Sequence, residues 1–205
     1  RVKNNLQLIA SIMNMQVRRV KSDETRRVLI ELRDRVMSLA TIHRELFETT
    51  GRADVHSDEL LFGILRQAGS ADAAGDRRFD AVTDFDDIRM VPDQAVPLGL
   101  LVAEAVASAV KHGSGADGKG VRIHVSLRRA GAQGAVLQIT NPCDRPQGDE
   151  ALESGLGTQL VTAFAKQIGG TVDRAVVDGV YRLRVAFPVQ PLAEGEARYH
   201  VQHGS

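Results

Sequence analysis

The sequence predicts an α+β chain in two parts, a two-helix hairpin over residues 1–52 and a layered α/β domain over 53–188, with a polar tail over 189–205. Three observations carry this. The first fifty residues hold apolar positions at alternating three- and four-residue spacing, the mark of a narrow helical seam. From Asp54 the texture changes, and two segments alternate apolar and polar residues around a glycine-bearing turn. Ahead of both lies "QAVPLGLLVAEAVASAVKHG", too long and too rich in Ala and Leu to be a strand.

In the first part the seam runs Leu6, Ile9, Met13, Gln16, Val20, and then Val28 or Leu29, Leu32, Val36, Leu39, Ile42, Leu46. Ser22 and Asp23 between the two runs supply a turn and an N-cap. A hairpin cannot bury two seams alone, so pairing of two copies into a four-helix bundle is expected. The opening "RVKNNLQLIA" is already inside a helical repeat with no capping residue, and a preceding segment is expected.

In the second part Asp58 to Gln67 reads as a short amphipathic helix and "RRFDAVTDFDDIRM" as an edge strand pair. The long Ala/Leu helix follows, then the hairpin "VRIHVSLRRAGAQGAVLQIT" and the polar loop "NPCDRPQGDEALESGLG". "TQLVTAFAKQIGG" reads as a helix closed by Gly169 and Gly170, and "TVDRAVVDGVYRLRVAFP" as a hairpin turning at Asp178-Gly179. Helices on one face of a mixed or antiparallel sheet are the expected architecture.

Composition narrows the function. Lys plus Arg and Asp plus Glu both number 26, so no basic field points to nucleic acid. There is no Trp to build a stacking platform, and no unbroken run of apolar residues long enough for a membrane span. A lone Cys143 fits a reducing, cytoplasmic setting. It reads as a small loop filler, because no basic residue is fixed beside it. His56, His124, His200 and His203 have no Cys or His neighbours at metal-ligand spacing, so no zinc site is expected.

"RVKNNLQLIASIMNMQ", "RVMSLATIHRELF", "VPDQAVPLGLLVAEAVASAVKHG" and "SGLGTQLVTAFAKQIGG" occur in the order seen in the HWE-related sensor histidine kinases, and from Arg1 to about Pro188 the chain resembles that family. The resemblance implies a dimerisation and histidine-phosphotransfer hairpin followed by a GHKL-type ATP-binding sandwich. It also implies a phosphoacceptor His just before Arg1. Arg1 and Lys3 would then neutralise the phosphoryl group, and Asn4 would orient water to dephosphorylate a receiver domain. His43 becomes a structural residue or a receiver contact, and docking is expected near Arg1 to Ser11 and Thr41 to Phe47.

The nucleotide boxes are only partly kept. Glu104, Lys111 and His112 match the helix that holds Mg²⁺, but Ser108 stands where the family has Asn. Asn141 stands where an Asp accepts the adenine amino group, with Pro142 and Cys143 in place of Asn-Gly. Gly155, Gly157 and Thr158 keep the glycine-rich entry to a helix whose N–H groups can hold phosphates. These departures put ATP in doubt and leave Mg²⁺ to be supplied by the receiver. The expected function is a histidine kinase-like phosphotransferase or phosphatase acting on a response-regulator receiver. An active ATP-dependent sensor kinase and a non-catalytic dimeric receiver-docking module are the alternatives.

Overall fold

The computed structural model describes residues 22–23, 25–26, 29–30, 54–72, 79–113, 120–144 and 156–192. The chain divides into two units, Arg1–Gly51 and Arg52–Ser205. In the first, Ser22 caps a helix as its position predicts. Its Oγ accepts the Thr25 N–H at 3.4 Å, its carbonyl accepts the Arg26 N–H at 3.0 Å, and Arg26 reaches back to Asp23 at 3.2 Å. Apart from Leu29, the apolar seams lie outside the described residues, as do Arg1, Lys3, Asn4, His43 and the expected docking face.

The second unit runs β1 (Val55–His56), α1 (Ser57–Asp72), β2 (Phe79–Phe85), β3 (Arg89–Met90), α2 (Pro92–His112), β4 (Val121–Ala130), β5 (Gly134–Pro142), α3 (Leu156–Gln167), β6 (Thr171–Val177) and β7 (Val180–Pro188). Five strands form one sheet in the order β2-β4-β5-β7-β6, with β2 parallel to β4 and the other pairs antiparallel. Strict alternation decides which face is covered. Ile123, Val125 and Leu127 of β4, Leu137 and Ile139 of β5, and Leu183 and Val185 of β7 are buried, while Arg122, His124, Arg128 and Arg184 point to the open face.

Helix α2 covers that apolar face and packs against both α1 and α3. It starts with Pro92 in the first turn, where a missing N–H costs nothing. Its Leu98, Leu101, Val102 and Val106 are fully buried, and the small Ala105 and Ala109 keep it close to the sheet. By length and hydropathy this helix would pass for a membrane span, but 61% of the qualifying window is buried inside the fold. It is the core helix of the sandwich.

Both antiparallel hairpins form as the turn chemistry dictates. Asp178 and Gly179 take φ of 52° and 72°, the paired left-handed conformation of a type I′ turn. Gly169 at φ 73° closes α3 in a Schellman motif, with Gly170 N–H on the Ala165 carbonyl at 2.8 Å and Gly169 N–H on that of Lys166 at 3.0 Å.

Two expectations are corrected. Helix α1 extends to Asp72, past Gln67. The segment around "RRFDAVTDFDDIRM" is not a strand pair: β2 adds to the edge of the large sheet through β4, and β3 pairs with β1 in a separate two-stranded sheet. Asp86 explains the split. Its carboxylate accepts the Arg129 N–H at 2.8 Å and an Arg128 N–H at 2.7 Å, which pins the end of β2 to β4 and turns the chain away. The Arg129 N–H first, and the Arg128 guanidinium second, hold the Asp86 carboxyl below the usual aspartate range. Just past β7 the chain is still tied to the domain: Val189 N–H bonds the Gln133 carbonyl at 2.7 Å and Gln190 N–H bonds Oε1 of buried Gln94 at 3.1 Å.

Gly113, just past α2, sits where no side chain fits. A Cβ there would lie 2.5 Å from the Ala109 carbonyl oxygen, 2.5 Å from Val121 Cγ1 and 3.1 Å from Asn141 Nδ2. Gly113→Ala is therefore expected to cost about 1–3 kcal/mol through overpacking, read as a lower urea midpoint with an unchanged slope. Wild-type stability in that variant would mean that the end of α2 relaxes freely.

Candidate functional site

Glu104, Ser108 and Lys111 fall at i, i+4 and i+7 of α2 and so share one face of the helix. Glu104 is half-buried, and Ser108, Lys111 and His112 are exposed. A small cavity of about 20 Å³ opens beside Glu104 and Ser108, walled by Gly157, Thr158, Arg174 and Tyr181 over an apolar floor that includes Ile139 and Leu183. Its volume suits a single water.

Gly157 makes the approach of α3 possible. A Cβ at that position would stand 2.6 Å from Glu104 Oε1, so the glycine lets the start of α3 come against the carboxylate. The first turn of α3 is held from below. Arg174 of β6 donates to the Thr158 carbonyl at 3.2 Å and to Thr162 Oγ1 at 2.9 Å, and the Thr162 hydroxyl donates to the same carbonyl at 2.9 Å. The structure thus brings Glu104, Ser108, Gly157 and Thr158 together, as the sequence grouping requires. Lys111 and His112 sit at the end of α2 and do not line the cavity, and Gly155 lies outside the described residues.

Asn141 stands apart, next to Gly113. It continues the core-facing alternation of Ala135, Leu137 and Ile139 and is only 3% exposed. Its Nδ2 donates to the Pro142 carbonyl at 2.9 Å, while its Oδ1 is buried without a hydrogen-bond partner. A buried acceptor of this kind costs about 1–3 kcal/mol unless something donates to it. Cys143 is buried too, its N–H bonded to the Gly179 carbonyl at 2.8 Å, which fits the filler role read from sequence.

Sequence reasoning missed Arg174, Tyr181 and Gly113. Arg174 left a trace: in "TVDRAVV" it occupies the register of Val172 and Val176, a charge where alternation calls for an apolar side chain. Gly113 gave no signal beyond following "KH", and Tyr181 gave none.

Residues 1–71 match the HisKA_2 model, described as histidine kinase. Sensor histidine kinase PdtaS of Mycobacterium tuberculosis is 30% identical over 176 residues, covering 84% of this chain and 34% of that protein. The chain belongs to the HWE-related sensor histidine kinases. PdtaS of Mycolicibacterium smegmatis is 28% identical over 191 residues, 78% of this chain and 37% of that protein. The chain spans about a third of the length of the curated relatives it matches. Its fold is that of GHKL-type kinase catalytic domains. The histidine kinase domain of the Erythrobacter litoralis EL346 blue-light activated kinase aligns with a TM-score of 0.63 at 15% identity, covering 89% of this chain and 96% of that one. The mycobacterial sensor kinase MprB aligns with a TM-score of 0.53 at 19% identity, covering 68% of this chain and 99% of that one.

Proposed function

We propose that this sensor-kinase region works in two-component signalling by exchanging phosphoryl groups with a response-regulator receiver domain, or removing them from it, through its helical hairpin, with ATP a poor source of phosphate. The observation that carries the reading is Asn141. The family implies ATP and Mg²⁺, and the residues present fit them poorly. Where a carboxylate would read the base, a buried amide spends its NH₂ on its own neighbour's carbonyl and offers one neutral oxygen. Where carboxylate and amide would hold Mg²⁺, Glu104 has only the short Ser108 hydroxyl one turn along.

On this reading the receiver brings both the phosphoryl group, as an aspartyl phosphate, and its own Mg²⁺. In transfer, the P–O bond to the aspartate breaks as a P–N bond forms to the His expected before Arg1. In hydrolysis, a water held by the Asn4 carboxamide attacks phosphorus, and the aspartate leaves as carboxylate with inorganic phosphate as the other product. Arg1 and Lys3 neutralise the phosphoryl oxygens in either direction. Two copies of the hairpin complete the bundle that presents this face.

An active ATP-dependent kinase is the second reading. It is favoured by the unpartnered Asn141 Oδ1, an acceptor waiting for an N–H donor, and by the carboxylate of Glu104 lying against Gly157 at the start of α3. Calorimetric titration with Mg-ATP separates the two. The proposal expects binding no tighter than about 1 mM, some 4 kcal/mol of affinity. Binding at micromolar concentrations would overturn it in favour of the kinase.

A further inference from the structure

We propose that His56, Asp58 and Asp87 form a binding site for a divalent first-row transition ion such as Zn²⁺. Two stretches distant in sequence meet here: the junction of β1 and the first turn of α1, which carries His56 and Asp58, and the loop between β2 and β3, which carries Asp87. One ligand atom from each residue lies within 4.8 Å of the other two. His56 Nδ1 stands 3.0 Å from both oxygens of Asp87. Ligands of a tetrahedral zinc at 2.0–2.2 Å are about 3.4 Å from one another. The His56–Asp87 pair already has close to this spacing, and Asp58 has to draw in by roughly an ångström or a little more.

The chemistry of the three groups selects the ion. Two carboxylates balance a double positive charge, and the imidazole nitrogen turns the set away from Mg²⁺ and Ca²⁺ towards Zn²⁺ and its neighbours. Asp58 adds an independent observation. Its Oδ1 is shut off from solvent and has no hydrogen-bond partner, the condition that a bound cation relieves. The backbone around the cluster is firm. Ser57, between two of the ligands, is fully buried, its N–H on the Ile88 carbonyl and its Oγ accepting the Ile88 N–H, both at 3.0 Å. Asp87, 50% exposed, leaves the site open for entry of the ion and for water as a fourth ligand.

The sequence reading looked for Cys or His beside His56 and found neither. The missing partners are carboxylates, one of them thirty-one positions away. Without an ion, Asp58 would serve the positive end of α1 and Asp87 would simply accept a hydrogen bond from the ring.

The test uses the untagged full chain, stripped with a chelator, and titrates Zn²⁺ by calorimetry and Co²⁺ by visible absorbance. One ion per chain with a micromolar Kd is expected, and a thermal midpoint raised by about 5 °C or more at a hundredfold excess. Asp87→Asn and His56→Gln should each weaken binding at least about tenfold, and the paired change His200→Ala with His203→Ala should leave it unaltered. Circular dichroism checks the fold of each variant. If His56→Gln fails to fold, the exposed Asp87→Asn decides alone. No binding at about 100 µM Zn²⁺, near 5.5 kcal/mol, overturns the site, as does wild-type affinity in Asp87→Asn or loss of binding in the tail variant.

Discussion

Asn4→Ala is expected to slow hydrolysis of the receiver's aspartyl phosphate about a hundredfold, the scale of losing the positioning of one reactant, while receiver affinity stays near wild type. On the proposed function, Asn4 is four positions beyond the expected phosphoacceptor, a spacing that on a helix would put its carboxamide on the same face to hold a water for attack on phosphorus. The side chain adds no charge, and its truncation therefore leaves the docking electrostatics intact. Arg1 and Lys3 differ in this respect: on the proposed function each would bring charge to the encounter as well as to the transition state, so alanine there should lower affinity and rate together. The measurement is release of inorganic phosphate from an acyl-phosphate-loaded receiver at saturating kinase, alongside a separate binding titration. Unchanged hydrolysis in Asn4→Ala would remove Asn4 from the chemistry and favour a docking-only hairpin. A loss of affinity matching the loss of rate would make it a contact residue.

What was legible in the sequence follows the range of the interactions involved. The β4–β5 and β6–β7 hairpins are written in neighbouring residues, in strict alternation and in the left-handed turn at Asp178-Gly179, and they form as read. Helix α2 announces itself by composition, and α3 by the two glycines that close it. The two-residue strands β1 and β3 carry no periodicity at all. Beside that pairing the Ser57 N–H donates to the Ile88 carbonyl and the Ile88 N–H donates to the Ser57 hydroxyl, across thirty-one positions. The parallel partner of β2 is equally non-local, Phe79 lying opposite Val121.

The candidate site divides in the same way. Glu104 with Ser108 is a helix spacing, and Gly157 with Thr158 is a loop-to-helix entry, so each pair was readable alone. That the two pairs share one cavity, with Arg174 and Tyr181 in its wall, depends on how α3 and β6 fold back, which no local pattern encodes. The environment of Asn141 is likewise tertiary. Its burial beside Gly113, and the loss of its NH₂ to Pro142, give the substitution a physical meaning that a comparison of boxes could not.

Asn141→Asp tests that meaning, with an effect in each of two measurements. The swap is nearly isosteric, yet it replaces an N–H that donates to the Pro142 carbonyl at 2.9 Å with a carboxylate oxygen facing the same lone pairs. The new charge is buried, and without a ligand the variant should lose about 1–3 kcal/mol of stability at neutral pH. The pH dependence has a definite sign. Burial and the facing carbonyl favour the protonated acid, so its folded-state pKa rises above the unfolded value near 4. The folded variant then holds more protons than the unfolded one, and its stability recovers as pH falls towards that value, whereas the wild-type amide does not titrate. Urea unfolding of both proteins at neutral and acidic pH reads this directly. The second effect runs the other way. A carboxylate accepting from a base amino group makes a charge-assisted bond about 1–2 kcal/mol stronger than the amide's, so Mg-ATP affinity should rise on the order of tenfold. Lost stability together with gained affinity would identify Asn141 as the residue that trades nucleotide binding for a quiet, stable resting domain. Lost stability with unchanged affinity would place the base elsewhere and leave Asn141 a purely structural amide.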